Sequence, residues 1–261
     1  MKKGNAIKTV TKLILIYYLL QIFGSLVAAP CVMIYEFVTT GTLDITTVQT
    51  EAIVPAMLTG FVFIAIYLWR NGYLVDDGRI YAFTPYSRLG WGLLAGVSGM
   101  CLTDVLMSQL TFLPDLMKQT FDALQSGWTG ILCIVLLGPI LEELVFRRAV
   151  MKALLQKYSP AVSILISGLL FGVVHLNPAQ IVNASIMGFL LAWIYWRTQS
   201  LIPCILIHVL NNSLSVYLNL NYPEAETTAE LLGKSVLIGE TVSAFVLFLL
   251  SVRKLSAVTS S

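Results

Sequence analysis

The sequence predicts an all-α polytopic membrane protein, a bundle of about eight transmembrane helices with a short amphipathic helix at the interface. Three observations predict it. Hydrophobic residues fill 57% of the 261 positions and charged residues only 11%, against roughly 25% charged in an ordinary soluble domain. The apolar residues fall into runs of the ~20 residues that a spanning helix needs. Lys and Arg gather in alternate connections between those runs. A soluble globule needs more polar cover than this chain can supply. The same composition excludes a disordered chain, a nucleic-acid binder and a secreted disulfide scaffold. The net charge of +2 is too small to imply an anionic partner.

The runs cover 13–38, 52–69, 89–111, 128–150, 160–176, 179–196, 201–219 and 234–252. The first is longer than the 7–15 apolar residues of a signal peptide, so it reads as a retained helix. Cations set orientation. Lys2, Lys3, Lys8 and Lys12 precede the first run. Arg70, Arg79 and Arg88 lie in the second connection, Arg147, Arg148, Lys152 and Lys157 in the fourth, Arg197 in the sixth, and Arg253 and Lys254 in the tail. Only Lys118 and Lys234 fall on the other side. The pattern predicts a multi-pass protein of the cell membrane with both termini cytoplasmic. No connection exceeds roughly 20 residues, which leaves no room for a soluble domain, so residues 1–261 read as a single transmembrane domain.

Two segments carry finer detail. Residues 112–125 set Leu113, Leu116, Met117, Phe121 and Leu124 at helical spacing, which predicts an amphipathic helix on the outer interface. The fourth run extends to about Tyr158, because Ala149–Lys157 lacks Gly and Pro and Pro160 supplies the stop. The four cysteines, Cys31, Cys101, Cys133 and Cys204, lie in apolar runs without CxxC spacing and read as small buried hydrophobes.

Ionisable groups at membrane depth are costly and mark cavities, partners or chemistry. This chain places both of its histidines, His175 and His208, in apolar segments, together with the adjacent pair Glu142 and Glu143. Glu143 and Arg147 are four residues apart on one helical face and can pair. Glu142 lies about 100° round the helix and is left free. A carboxylate without a cation in an apolar setting takes up a proton readily, which suits a general base. His208 and Asn212 are also four apart, and an amide beside an imidazole can fix its tautomer or donate to an oxyanion. Asp104, Gln180 and Asn183 read as interhelical hydrogen-bonding residues.

In chain order these residues spell three motifs, Glu142-Glu143-x-x-x-Arg147, Phe171-x-x-x-His175 and His208-x-x-x-Asn212. Together they resemble the CAAX protease and bacteriocin-processing family of intramembrane endopeptidases, also called type II CAAX prenyl endopeptidase-like. The motif-bearing core covers about 128–219. The resemblance implies that Glu142 activates water, that His175 helps to position it, that His208 and Asn212 form the oxyanion site, and that Glu143 and Arg147 brace the arrangement. It implies a membrane-embedded or lipidated peptide as substrate and the lipid bilayer as surroundings.

No cofactor is required by this reading. Zinc held by Glu142, His175 and His208 is the alternative, although the HExxH pattern is absent. Two other functions fit the same residues less closely. One is a catalytically silent scaffold that regulates a partner, as in bacteriocin immunity. The other is a proton-relay transporter, against which stands the lack of broken helices in paired halves. Gly138-Pro139 is one candidate break without a counterpart.

Overall fold

The computed structural model describes residues 6–74, 85–225 and 227–257. Among them are eleven helices and no strand. In chain order these are α1 (Ala6–Thr40), α2 (Ile45–Glu51), α3 (Ile53–Arg70), α4 (Tyr86–Met107), α5 (Lys118–Gln125), α6 (Trp128–Leu155), α7 (Pro160–Val173), α8 (Pro178–Thr198), α9 (Ile202–Asn221), α10 (Thr228–Leu232) and α11 (Lys234–Ala257). The all-α polytopic membrane architecture expected from composition is the one observed. Lys2, Lys3 and Arg79, counted among the cytoplasmic cations, lie outside the described residues.

Each of the eight apolar runs is met by a helix. Six of these helices, α1, α3, α4, α6, α8 and α11, are long and apolar enough to cross a membrane by length and composition. The two that fall short flank the motifs. Helix α7 has only 14 residues and stops just before His175. Helix α9 has 20 residues but carries His208, Asn211, Asn212, Asn219 and Asn221. Large apolar side chains on α1 (Leu15, Leu19, Phe23, Leu26) and on α11 (Val242, Phe245, Leu249) are exposed. Outward-facing apolar rows of this kind suit a lipid surrounding.

Three details differ from expectation. The segment 112–125 is helical only from Lys118 onward. Pro114 cannot donate and disfavours a helical residue before it, and Asp115 turns the chain by accepting the Met117 N–H at 2.9 Å. Leu113 and Leu116 therefore lie in a loop. Second, Arg147 and Arg148 are fully buried inside α6 and are not loop cations, because α6 continues to Leu155 before the turn at Ser159-Pro160. Third, Gly138-Pro139 does not break α6. Two widened, π-helical turns, Cys133–Leu137 and Leu144–Met151, flank the α-helical segment Gly138–Glu143.

The core forms two clusters. One joins α1, α3, α6 and α7 through Leu13, Leu68, Phe146, Val150 and Phe171. The other joins α4, α8 and α9 through Ala95, Leu191, Tyr195 and Ile207. Small residues let the helices approach closely. Helices α7 and α8 touch at Gly168 and Gly188, where a Cβ on Gly188 would stand 2.9 Å from both the Cα and the carbonyl oxygen of Gly168. Backbone cannot yield there. Gly188→Val is expected to force the pair apart and cost ~1–3 kcal/mol, read as a lowered thermal midpoint in detergent micelles.

Candidate active site

The widened turns on α6 set up the site. Over Cys133–Leu137 the Gly138 N–H reaches back five residues to the Cys133 carbonyl. The next donor in that register would be Pro139, which has no N–H. The Ile134 carbonyl is thus left without a donor from its own helix. Asn212 of α9 fills the gap, donating from Nδ2 at 3.0 Å. Its Oδ1 accepts from Asn211 Nδ2 at 3.2 Å, which orients the amide. Asn212 therefore ties α9 to the turn that precedes the two glutamates, and π-type turns of this sort occur often at functional sites.

The adjacent carboxylates part ways as the helix faces require. Glu143 is fully buried, with Oε2 3.1 Å from Arg147 Nε, and Arg147 is fully buried as well. The Arg147 guanidinium lies 4.4 Å from the centroid of the Phe171 ring, a cation–π contact. Glu142 keeps 21% of its side chain exposed. It is the carboxylate that solvent or a substrate can reach.

His208 links the two. Its Nδ1 is 3.0 Å from Glu143 Oε1, and its Nε2 is 3.7 Å from Glu142 Oε2. A carboxylate paired with arginine only accepts, so Nδ1 carries the proton and donates to Glu143. Nε2 is the nitrogen that faces Glu142. Of the two roles the spacing left open for Asn212, orienting the His208 ring falls to Glu143, while Asn212 donates one N–H to the Ile134 carbonyl. The order Arg147, Glu143, His208, Glu142 forms a relay across α6 and α9, with a buried ion pair at one end and the partly open carboxylate at the other.

His175 stands just beyond the end of α7. Its Nδ1 is 2.8 Å from the Phe171 carbonyl, which can only accept, so Nε2 is again the free acceptor end. Its ring stands edge-on to Phe171 with centroids 5.2 Å apart, and the His208 ring does the same at 5.6 Å. Phe171 thus holds both imidazoles and the Arg147 guanidinium around one ring. The sequence marked Phe171 as the first residue of a motif without giving it work. Its spacing of four before His175 was the available signal.

Helix α1 contributes residues that no motif flagged. Tyr18 donates from its hydroxyl to the Val174 carbonyl at 2.9 Å, bracing the end of α7 beside His175. Tyr17 packs edge-on to Phe146 at 6.3 Å and interacts electrostatically with Glu142. Away from the site, Asp104 hydrogen-bonds Thr228, linking α4 to α10.

The donor set does not fit a metal. Among the described residues, no group of three or more His, Cys, Asp or Glu side chains converges on a point where an ion would be held.

Residues 124–214 match the family described as type II CAAX prenyl endopeptidase Rce1-like. The chain is also similar to a Bacillus subtilis (strain 168) protein named "Putative membrane peptidase YdiL", with 33% identity over 111 residues. That match takes in 41% of this chain and 46% of the relative, so it spans about half the length of that protein. No solved structure matches the chain. The matched segment contains all three motifs and every side chain of the Arg147–Glu142 relay. Residues 124–214, which carry the candidate site, are thus similar to the type II CAAX prenyl endopeptidase Rce1-like family.

Proposed function

We propose that this protein is an intramembrane endopeptidase that cleaves a membrane-embedded or lipidated peptide with water activated by Glu142. One observation carries the reading. The partly open carboxylate of Glu142 faces the Nε2 of a histidine whose tautomer is locked from behind by a fully buried carboxylate and arginine. That is the logic of a catalytic relay, in which one group accepts a proton and an oriented imidazole passes it on. A purely structural ion pair has no need of the third and fourth members.

In this mechanism Glu142 takes a proton from water as the oxygen attacks the scissile carbonyl. The bare Nε2 of His175 accepts the water's other hydrogen bond and holds it in line. His208 relays the proton toward the leaving amine. Its Nδ1–H is spent on Glu143, so it donates to an oxyanion or amine only from Nε2, after that nitrogen has gained a proton. Asn212 uses one N–H on Ile134 and keeps the second for the oxyanion. No step needs a metal. The alternating cations support a protein of the cell membrane with both termini cytoplasmic.

The test is cleavage of a quenched fluorogenic membrane peptide by the protein in proteoliposomes, beside Glu142→Gln, each with and without phenanthroline. Cleavage by the wild type alone, indifferent to the chelator, is the expected result. Cleavage by Glu142→Gln overturns the base assignment. Loss on chelation, with zinc in the purified protein, overturns the metal-free mechanism.

A further inference from the structure

The joint between α7 and α8, His175-Leu176-Asn177-Pro178, departs from what its residues would do by default. Asn177 is the residue before the first turn of α8, and its carbonyl accepts the Ile181 N–H at 2.7 Å. An asparagine there ordinarily turns its side chain onto the N–H groups of the first turn, worth ~1 kcal/mol. Here it makes no such bond. The fully buried amide reaches across the bundle to the α4–α5 loop instead. Asn177 Oδ1 accepts the Leu116 N–H at 3.0 Å, and Asn177 Nδ2 donates to Asp115 Oδ1 at 2.8 Å. Asp115 Oδ1 also accepts the Met117 N–H at 2.9 Å. Leu176, between Asn177 and His175, is held at φ +55°, a left-handed conformation that a residue with a Cβ adopts at a cost.

We propose that Asn177 and Asp115 form a positioning clamp for His175. The clamp fixes the backbone two residues after the imidazole and holds Leu176 in its unfavourable conformation. Together with the Phe171 carbonyl on Nδ1, it aims the free Nε2. Asn177 is a positioning residue, since it acts through His175 and not on substrate. This rests on the peptidase reading above.

The hydrogen-bond pattern permits a swap. Asn177→Asp alone sets two carboxylates against each other and breaks the clamp. Asp115→Asn alone keeps an acceptor for both Asn177 and Met117. The double variant restores the bond across the clamp with donor and acceptor exchanged, and the carboxylate introduced at position 177 still accepts from Leu116, but the amide at position 115 then gives up the Met117 N–H that Asp115 Oδ1 accepts. In the proteoliposome assay kcat is expected to fall ~10- to 100-fold in Asn177→Asp with KM nearly unchanged. It should recover in part, to well above the single variant, in the double variant, a rescue that loss of general packing does not give.

A second measurement stands apart from activity. Hydrogen exchange at the Leu116 amide is expected to quicken about tenfold or more in Asp115→Ala, whose substitution lies at the exposed end of the clamp and spares the buried one. Wild-type kcat in Asn177→Asp, failure of the folded double variant to recover, or unchanged exchange at Leu116 each overturns the clamp. Absence of cleavage by the wild type overturns the peptidase reading instead and leaves the exchange result standing, so the two failures are distinguishable.

Discussion

Glu142→Gln is expected to lower turnover by ~10²- to 10⁴-fold, the span over which a positioned base contributes, and to leave the fold intact. The substitution is nearly isosteric. Glu142 is partly exposed and makes no direct hydrogen bond to His208 at 3.7 Å, so the amide strands no buried partner. What it removes is the capacity to take a proton from water. The thermal midpoint in micelles should therefore stay within a degree or two of the wild type while the cleavage rate collapses. A parallel fall in both would show Glu142 to be a structural residue.

The largest effect on stability is expected at Arg147. Its guanidinium is fully buried against Glu143 and Phe171. Removing one member of a buried ion pair leaves an uncompensated charge and costs ~3–5 kcal/mol. Arg147→Ala should thus lower the thermal midpoint steeply or fail to accumulate in the membrane. Replacing both members by apolar residues, Glu143→Leu with Arg147→Met, removes the charge problem and is expected to bring stability back near the wild type. It should not bring back turnover. His208 then has no acceptor for Nδ1, its tautomer is no longer fixed, and the rate should stay down ~10-fold or more. Recovery of stability and rate together would separate Glu143 from the relay.

Particular residues show where reading the sequence succeeds and where it stops. Glu143 and Arg147 could be paired from their spacing, because an α-helix puts positions four apart on one face. Glu142 could be set apart by the same geometry. The spacing of four between His208 and Asn212 invited the same inference and misled. Their bonds go to α6, because Pro139 strands a carbonyl there that Asn212 reaches. The link from His208 to Glu143, 65 positions earlier in the chain, has no local signature. Neither does Asn177, whose type suits a helix start and whose side chain crosses 62 positions to Asp115. Local periodicity finds helices and same-face pairs. Contacts between distant segments come from packing, and in this chain that includes the small-residue contact of Gly168 with Gly188.

The shortness of α7 reaches beyond the protein. Fourteen residues rise ~21 Å at 1.5 Å each, while the hydrocarbon of a typical bilayer is ~30 Å thick. The lipids bordering that helix must bend or shorten to meet it, and hydrophobic mismatch of this kind thins the membrane locally. Thinning of that kind would fall beside the helix whose end presents His175. Under the proposed function, a buried peptide arriving there would have less oil to leave and a shorter way to water, so the membrane itself would help to bring the scissile bond within reach.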